Sequence, residues 1–101
     1  LSRGDYSQAL RSMQVAWESG KRDEITRLLY GDALVASGSL PQAAEMVSGL
    51  PWAAMRLNGQ AWYRYYRQAD IHRAGYAWQT VLLLDPANAD ALSGLDLLEQ
   101  P

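Results

Sequence analysis

The single histidine, His72, lies two residues after Asp70. A carboxylate beside an imidazole is the orienting half of a proton relay. A relay also needs a nucleophile, and no serine with companion motif residues supplies one. Asp70 just ahead of an apolar run reads instead as a helix N-cap, with His72 facing solvent. Metal binding needs several His, Cys or clustered carboxylates. The chain has no cysteine, and Asp85, Asp90, Asp96 and Glu99 are spread without the spacing of a Ca²⁺ loop. No glycine-rich phosphate loop occurs. No catalytic, cofactor-binding or metal residue is therefore expected, and the chain is not read as an enzyme. The strongest local signal is Trp62-Tyr63-Arg64-Tyr65-Tyr66-Arg67. Arginine and aromatic side chains are enriched at interfaces and stack on bases. On a helix they point several ways, so part of the run packs inward and part faces out. Tyr63 and Arg67, four apart, share a face.

The elements that would position these groups are helical throughout. Tyr6, Ala9, Leu10, Met13, Ala16 and Trp17 follow one helical face. Gly20 offers a stop, and Asp23 a cap for a second helix from Glu24 to Ser37. Gly38 ends that helix. Ser39 with Gln42 reads as a capping box, and Pro41 fits the first turn of a third helix. Gly49-Leu50-Pro51 breaks it. A fourth helix spans Trp52 to Gln68. A fifth, Ile71 to Leu84, is expected to bury Ile71, Ala74, Gly75, Trp78, Val81 and Leu82. Asp85-Pro86 closes it, and Asn88 caps a sixth from Ala89 to Glu99. No strand periodicity appears. Short loops predict antiparallel packing of successive helices.

Composition bounds the partners. The chain is 101 residues, 49% hydrophobic and 20% charged, which suits a folded domain rather than a disordered one. A net charge of −2 provides no basic field for nucleic acid or anionic lipid. Apolar runs such as Val81-Leu82-Leu83-Leu84 are too short to span a bilayer. A start at Leu1, inside a repeat and without a signal-peptide pattern, reads as a piece of something longer.

The repeat is visible directly. Gly4 and Gly38 are 34 residues apart, as are Ala9 and Ala43, and Ala74 follows Ala43 by 31. The second unit reads Tyr30-Gly31, Leu34, Gly38, Leu40, Ala43 and Val47, and the third reads Tyr65, Ile71, Ala74, Trp78, Val81 and Pro86. On these residues the chain resembles the tetratricopeptide repeat, a 34-residue helix-turn-helix. The resemblance implies an all-α fold, an α-solenoid with a right-handed superhelix of antiparallel hairpins. It divides the chain into 1–20 (second helix of a partial repeat), 24–51 (a shortened repeat), 52–88 (a full repeat) and 89–101 (first helix of a partial or capping repeat). Gly31, Ala9, Ala43 and Ala74 would then let backbones approach closely, and Tyr65 would pack inward. Two departures stand out. Gly49-Leu50-Pro51 shortens the second unit and should alter the twist, and Ala61-Trp62 inverts the usual large-then-small pair.

In this family the first helix of each hairpin lines a concave groove. That implies a partner-binding set of Leu28, Asp32, Val35, Arg56, Gln60, Tyr63, Tyr66, Arg67, Asp90 and Ser93. The set suits an extended peptide or a helix. It lacks the Lys/Asn clamp of carboxylate-binding members, although Arg56 and Arg67 could meet an acidic ligand. The implied function is a non-catalytic protein-protein interaction scaffold without cofactor. The texture is similar to repeat regions of bacterial envelope proteins, above all the periplasmic scaffolds of Pel- or cellulose-type exopolysaccharide export, which recruit enzymes to an outer-membrane pore. A cytoplasmic adaptor in assembly or regulation, and direct binding of polysaccharide or nucleic acid in the Arg/Tyr groove, stay open. Apolar faces at the first and last helices are expected to favour self-association.

Overall fold

Helix ends are set by local hydrogen bonding, and they fall close to where the residue types place them. The computed structural model describes the backbone of residues 3–99 and the side chains of residues 7–99. Gly4 and Tyr6 of the first repeat copy lie outside the described side chains. The described residues form six helices and no strand: α1 (Arg3–Glu18), α2 (Glu24–Ala36), α3 (Leu40–Val47), α4 (Ala53–Tyr66), α5 (Ile71–Leu84) and α6 (Ala89–Glu99).

Three side chains cap as expected. Asp23 accepts from the Thr26 N–H at 3.4 Å and from its hydroxyl at 2.6 Å. Asp70 accepts from the Arg73 N–H at 3.1 Å, and Asn88 from the Ala91 N–H at 3.0 Å. Gly38 ends α2 at φ +86, where a residue with a Cβ is strained. The Ser39 N–H then reaches back to the Leu34 carbonyl at 2.9 Å, and the Gly38 N–H to that of Val35 at 3.0 Å. A left-handed turn one residue longer closes α4 with an alanine. Ala69 has φ +53, and the Asp70 N–H donates to the Arg64 carbonyl at 2.9 Å.

The expected capping box at Ser39 is not formed. Its side chain makes no cap bond. The turn between α2 and α3 is so tight that the Ser39 N–H already closes α2, which leaves Gln42 no donor to return to.

Packing centres on α5. It packs most closely along α4 and also touches α2, α3 and α6, while α1 rests on α2. Trp78, Thr80 and Val81 of α5 are fully buried. The Thr80 hydroxyl is satisfied by the Tyr76 carbonyl at 2.8 Å. The Trp78 indole meets Trp62 edge-on at 4.7 Å. On its other side lies Gly94, where a Cβ would stand 2.2 to 2.5 Å from ring atoms. At Gly31 a Cβ would stand 2.6 Å from Val47 Cγ1, so α2 and α3 also approach closely. Ala43 and Ala74 are both 0% exposed. Polar ties fasten the helices: Arg73 Nε donates to the Ala36 carbonyl at 3.0 Å, and Arg27 donates to the Met46 and Ser48 carbonyls at the end of α3.

Two burial expectations need correction. Ile71, placed on the buried stripe of α5, is 51% exposed, because it stands at the first turn and borders an open groove between α5 and α6. Ala9 is exposed, unlike Ala43 and Ala74, because it borders an open groove between α1 and α2.

Candidate interaction surface

The site is best built from α4. Its residues divide by direction. Ala53, Leu57, Asn58 and Ala61 are buried. Trp62 and Tyr65 pack against Trp78, at 4.7 Å and 6.3 Å between ring centroids. Ala61 is fully buried, whereas Trp62 is half-buried. Met55, Gly59, Tyr63 and Tyr66 form the outer face with Arg67, which caps the helix end. Tyr66 lies parallel to Trp62 at 5.6 Å and edge-on to Tyr65 at 4.9 Å, so its ring is held on two sides while its outer face meets solvent.

The expected groove residues separate into three groups. Tyr63, Tyr66 and Arg67 are exposed on α4, with Gln60 half-buried beside them. Asp32 and Arg56 are brought together across α2 and α4, with Arg56 Nη2 2.7 Å from Asp32 Oδ2. Asp90 and Ser93 are exposed on α6, which touches α4 only lightly.

Leu28 and Val35 do not belong to a surface. Both sit in the core cluster, because α2 is covered by α1, α3 and α5. The outward stripe of α2 is Ile25, Leu29 and Asp32, at i, i+4 and i+7. Ile25, Leu29 and Met55 were absent from the sequence-derived set. The spacing from Asp32 back to Leu29 and Ile25 is the signal that could have found the first two.

A groove of about 300 Å³ follows this face, between Ala9 and Met13 of α1 and Leu29 and Ala33 of α2, with Asp32 and Arg64 in its lining. A second, about 370 Å³, opens between Trp17, Tyr30, Glu45 and Met46.

The Asp70–His72 pair does not form a relay. Both Asp70 oxygens are engaged by Arg73, through its N–H and its guanidinium, each at 3.1 Å. Burial disfavours the ionised Asp70, but these Arg73 bonds and the charges of Arg73 and Arg64 outweigh it and hold the carboxyl below its ordinary range. His72 is exposed. Among the described residues no three His, Asp or Glu side chains gather as a metal site, and no helix is long and apolar enough to cross a membrane.

Protein-family models, curated proteins and solved structures contain no match to this chain.

Proposed function

We propose that the chain is a run of tetratricopeptide-type hairpins, stacked as an α-solenoid, that holds a protein partner on the outer face of α4 without doing chemistry on it. The repeat register is supported by equivalent positions. Gly38 and Ala69, 31 residues apart, both take a positive φ, and Ala43 and Ala74, also 31 apart, share complete burial.

The function rests on one observation. Two of the four aromatic residues of the Trp62–Tyr66 run secure the fold, while Tyr63 and Tyr66 stand 56% and 69% exposed. Exposed rings contribute little to folding, but as rigid amphipathic anchors they suit the centre of a binding surface. Arg67 and the Asp32–Arg56 pair add polar partners at its edges.

The setting we favour is a bacterial envelope scaffold in the periplasm that recruits an enzyme for exopolysaccharide export at the outer membrane. A cytoplasmic adaptor is the alternative. A second reading, stacking of a sugar or base on the outer face of Tyr66, draws on the way Trp62 backs that ring.

The test is selection of peptides from a displayed library on the wild-type chain. Tyr63→Ala and Arg67→Ala should each weaken capture about tenfold, in the range of an interface anchor. Thermal stability should stay nearly unchanged. Parallel loss of capture and stability would mean that these side chains belong to the core.

A further inference from the structure

The cleft of about 370 Å³ takes no part in the α4 surface, and no residue of α4 lines it. Its walls are three consecutive helices. Gln14 and Trp17, three apart, come from α1. Gln42 and Glu45, also three apart, come from α3. Tyr30 of α2 stands between them, and buried Leu34 forms the base.

The aromatic groups of this cleft are fixed in place. Tyr30 meets Trp17 edge-on at 5.9 Å, and both rings are half-buried. The Arg22 guanidinium stands over the indole, 3.7 Å from the ring centroid, and also donates to the Trp17 and Lys21 carbonyls. The polar groups are uncommitted. Gln14, Gln42 and Glu45 are exposed, and among the described residues neither they nor the Tyr30 hydroxyl make a hydrogen bond or ion pair.

Such a lining selects a ligand with an apolar face and a hydroxylated rim. A pyranose ring has that form. Its C–H groups make a weakly positive face that rests on π electrons, and each hydroxyl both donates and accepts. A primary amide answers a hydroxyl in both senses, and a carboxylate accepts from two. The volume lies at the small end of ligand sites, which run from about 300 to 1,000 Å³. Charge narrows the class further. Glu45 is the one ionised group among the described lining residues, which disfavours an anionic ligand. A cationic ligand would compete with Arg22 for the indole.

We propose that the cleft between α1, α2 and α3 binds a neutral sugar unit, with its C–H face on Trp17 and Tyr30 and its hydroxyls on Gln14, Gln42 and Glu45. This site is independent of the repeat register and of what binds α4.

An NMR titration of the ¹⁵N-labelled chain tests it. The probes are three uncharged hexasaccharides (cellohexaose, maltohexaose and the N-acetylated chitin hexamer) and one acidic hexamer of galacturonic acid. Each of the four indole N–H signals is followed, with that of Trp17 assigned from Trp17→Phe. At least one uncharged sugar should shift the Trp17 signal to saturation and leave that of Trp78 unmoved, while the acidic hexamer shifts neither. Gln42→Ala and Glu45→Ala each alter one exposed side chain, so both should keep wild-type helicity. Each should weaken binding about fivefold, the scale of one hydrogen bond. Tyr66→Ala should bind sugar as the wild type does. A Trp17 signal that none of the uncharged sugars moves overturns the proposal. So does equal binding of the acidic hexamer, or full affinity in both Gln42→Ala and Glu45→Ala. Sugar binding that is lost in Tyr66→Ala places the ligand on α4, which overturns this site and supports the second reading given above. Peptide capture that depends on Tyr63 is unaffected by any of these results.

Discussion

The same substitution should have opposite effects at two helical glycines. Gly59 and Gly94 both lie inside helices, where alanine is preferred by about 1 kcal/mol. At Gly59 a Cβ meets nothing within 4 Å, so Gly59→Ala should stabilise the chain by about 0.5–1 kcal/mol. At Gly94 the Cβ would stand 2.2 Å from Trp78 Cε2 and 2.4 Å from Cδ2. The indole is 0% exposed and held edge-on by Trp62 at 4.7 Å, so it has no room to retreat, and α6 must shift outward instead. Overpacking of this kind costs about 1–3 kcal/mol, and so short an approach belongs at the upper end. After the propensity gain, Gly94→Ala should destabilise by about 2 kcal/mol. The two variants should then differ by about 3 kcal/mol, or a gap in Tm of about 12–24 °C for a chain of this size. Urea denaturation with the slope compared across variants is the assay. An unchanged slope with a lower midpoint reports loss of the packed state, and a smaller slope reports α6 leaving on its own. A Gly94→Ala variant as stable as wild type would refute the close seating of α6 on Trp78.

Two further outcomes are expected besides those for Tyr63 and Arg67. Ala69 holds a left-handed conformation that costs a non-glycine residue about 1–2 kcal/mol, against about 0.5–1 kcal/mol of extra chain entropy lost by glycine. Ala69→Gly should therefore raise the urea midpoint by the equivalent of about 0.5–1 kcal/mol, and a lowered midpoint would contradict that turn. The folded state holds Asp70 below its ordinary pKa, so its contribution is complete above that range and is lost as pH falls through the folded value. Wild type should lose more Tm than Asp70→Asn between about pH 5 and pH 3, and parallel curves would remove Asp70 from the account.

Much of this molecule is legible residue by residue. Asp23, Asp70 and Asn88 cap their helices, and Gly20 and Gly38 turn the chain after α1 and α2. Each works through bonds to residues three to five positions away, so no distant partner needs to be known. The binding set was less legible. Leu28 and Leu29 are the same residue type on adjacent positions of α2, yet Leu28 is core and Leu29 is surface. Their neighbour Val35 satisfies an apolar pattern equally well in either place.

The amino-acid order by itself determined six helical segments, their ends and a repeat close to 34 residues, because helix period and capping are local properties of the chain. Only the tertiary structure decided that Leu28 and Val35 are covered, that Ile71 and Ala9 are not, and that Trp62 turns inward while Tyr63 and Tyr66 turn outward. A helical stripe states which residues share a side. Which side meets another helix depends on how many helices lie against it. α2 and α5 also lie against each other, and two helices so far apart along the chain are placed by no local pattern.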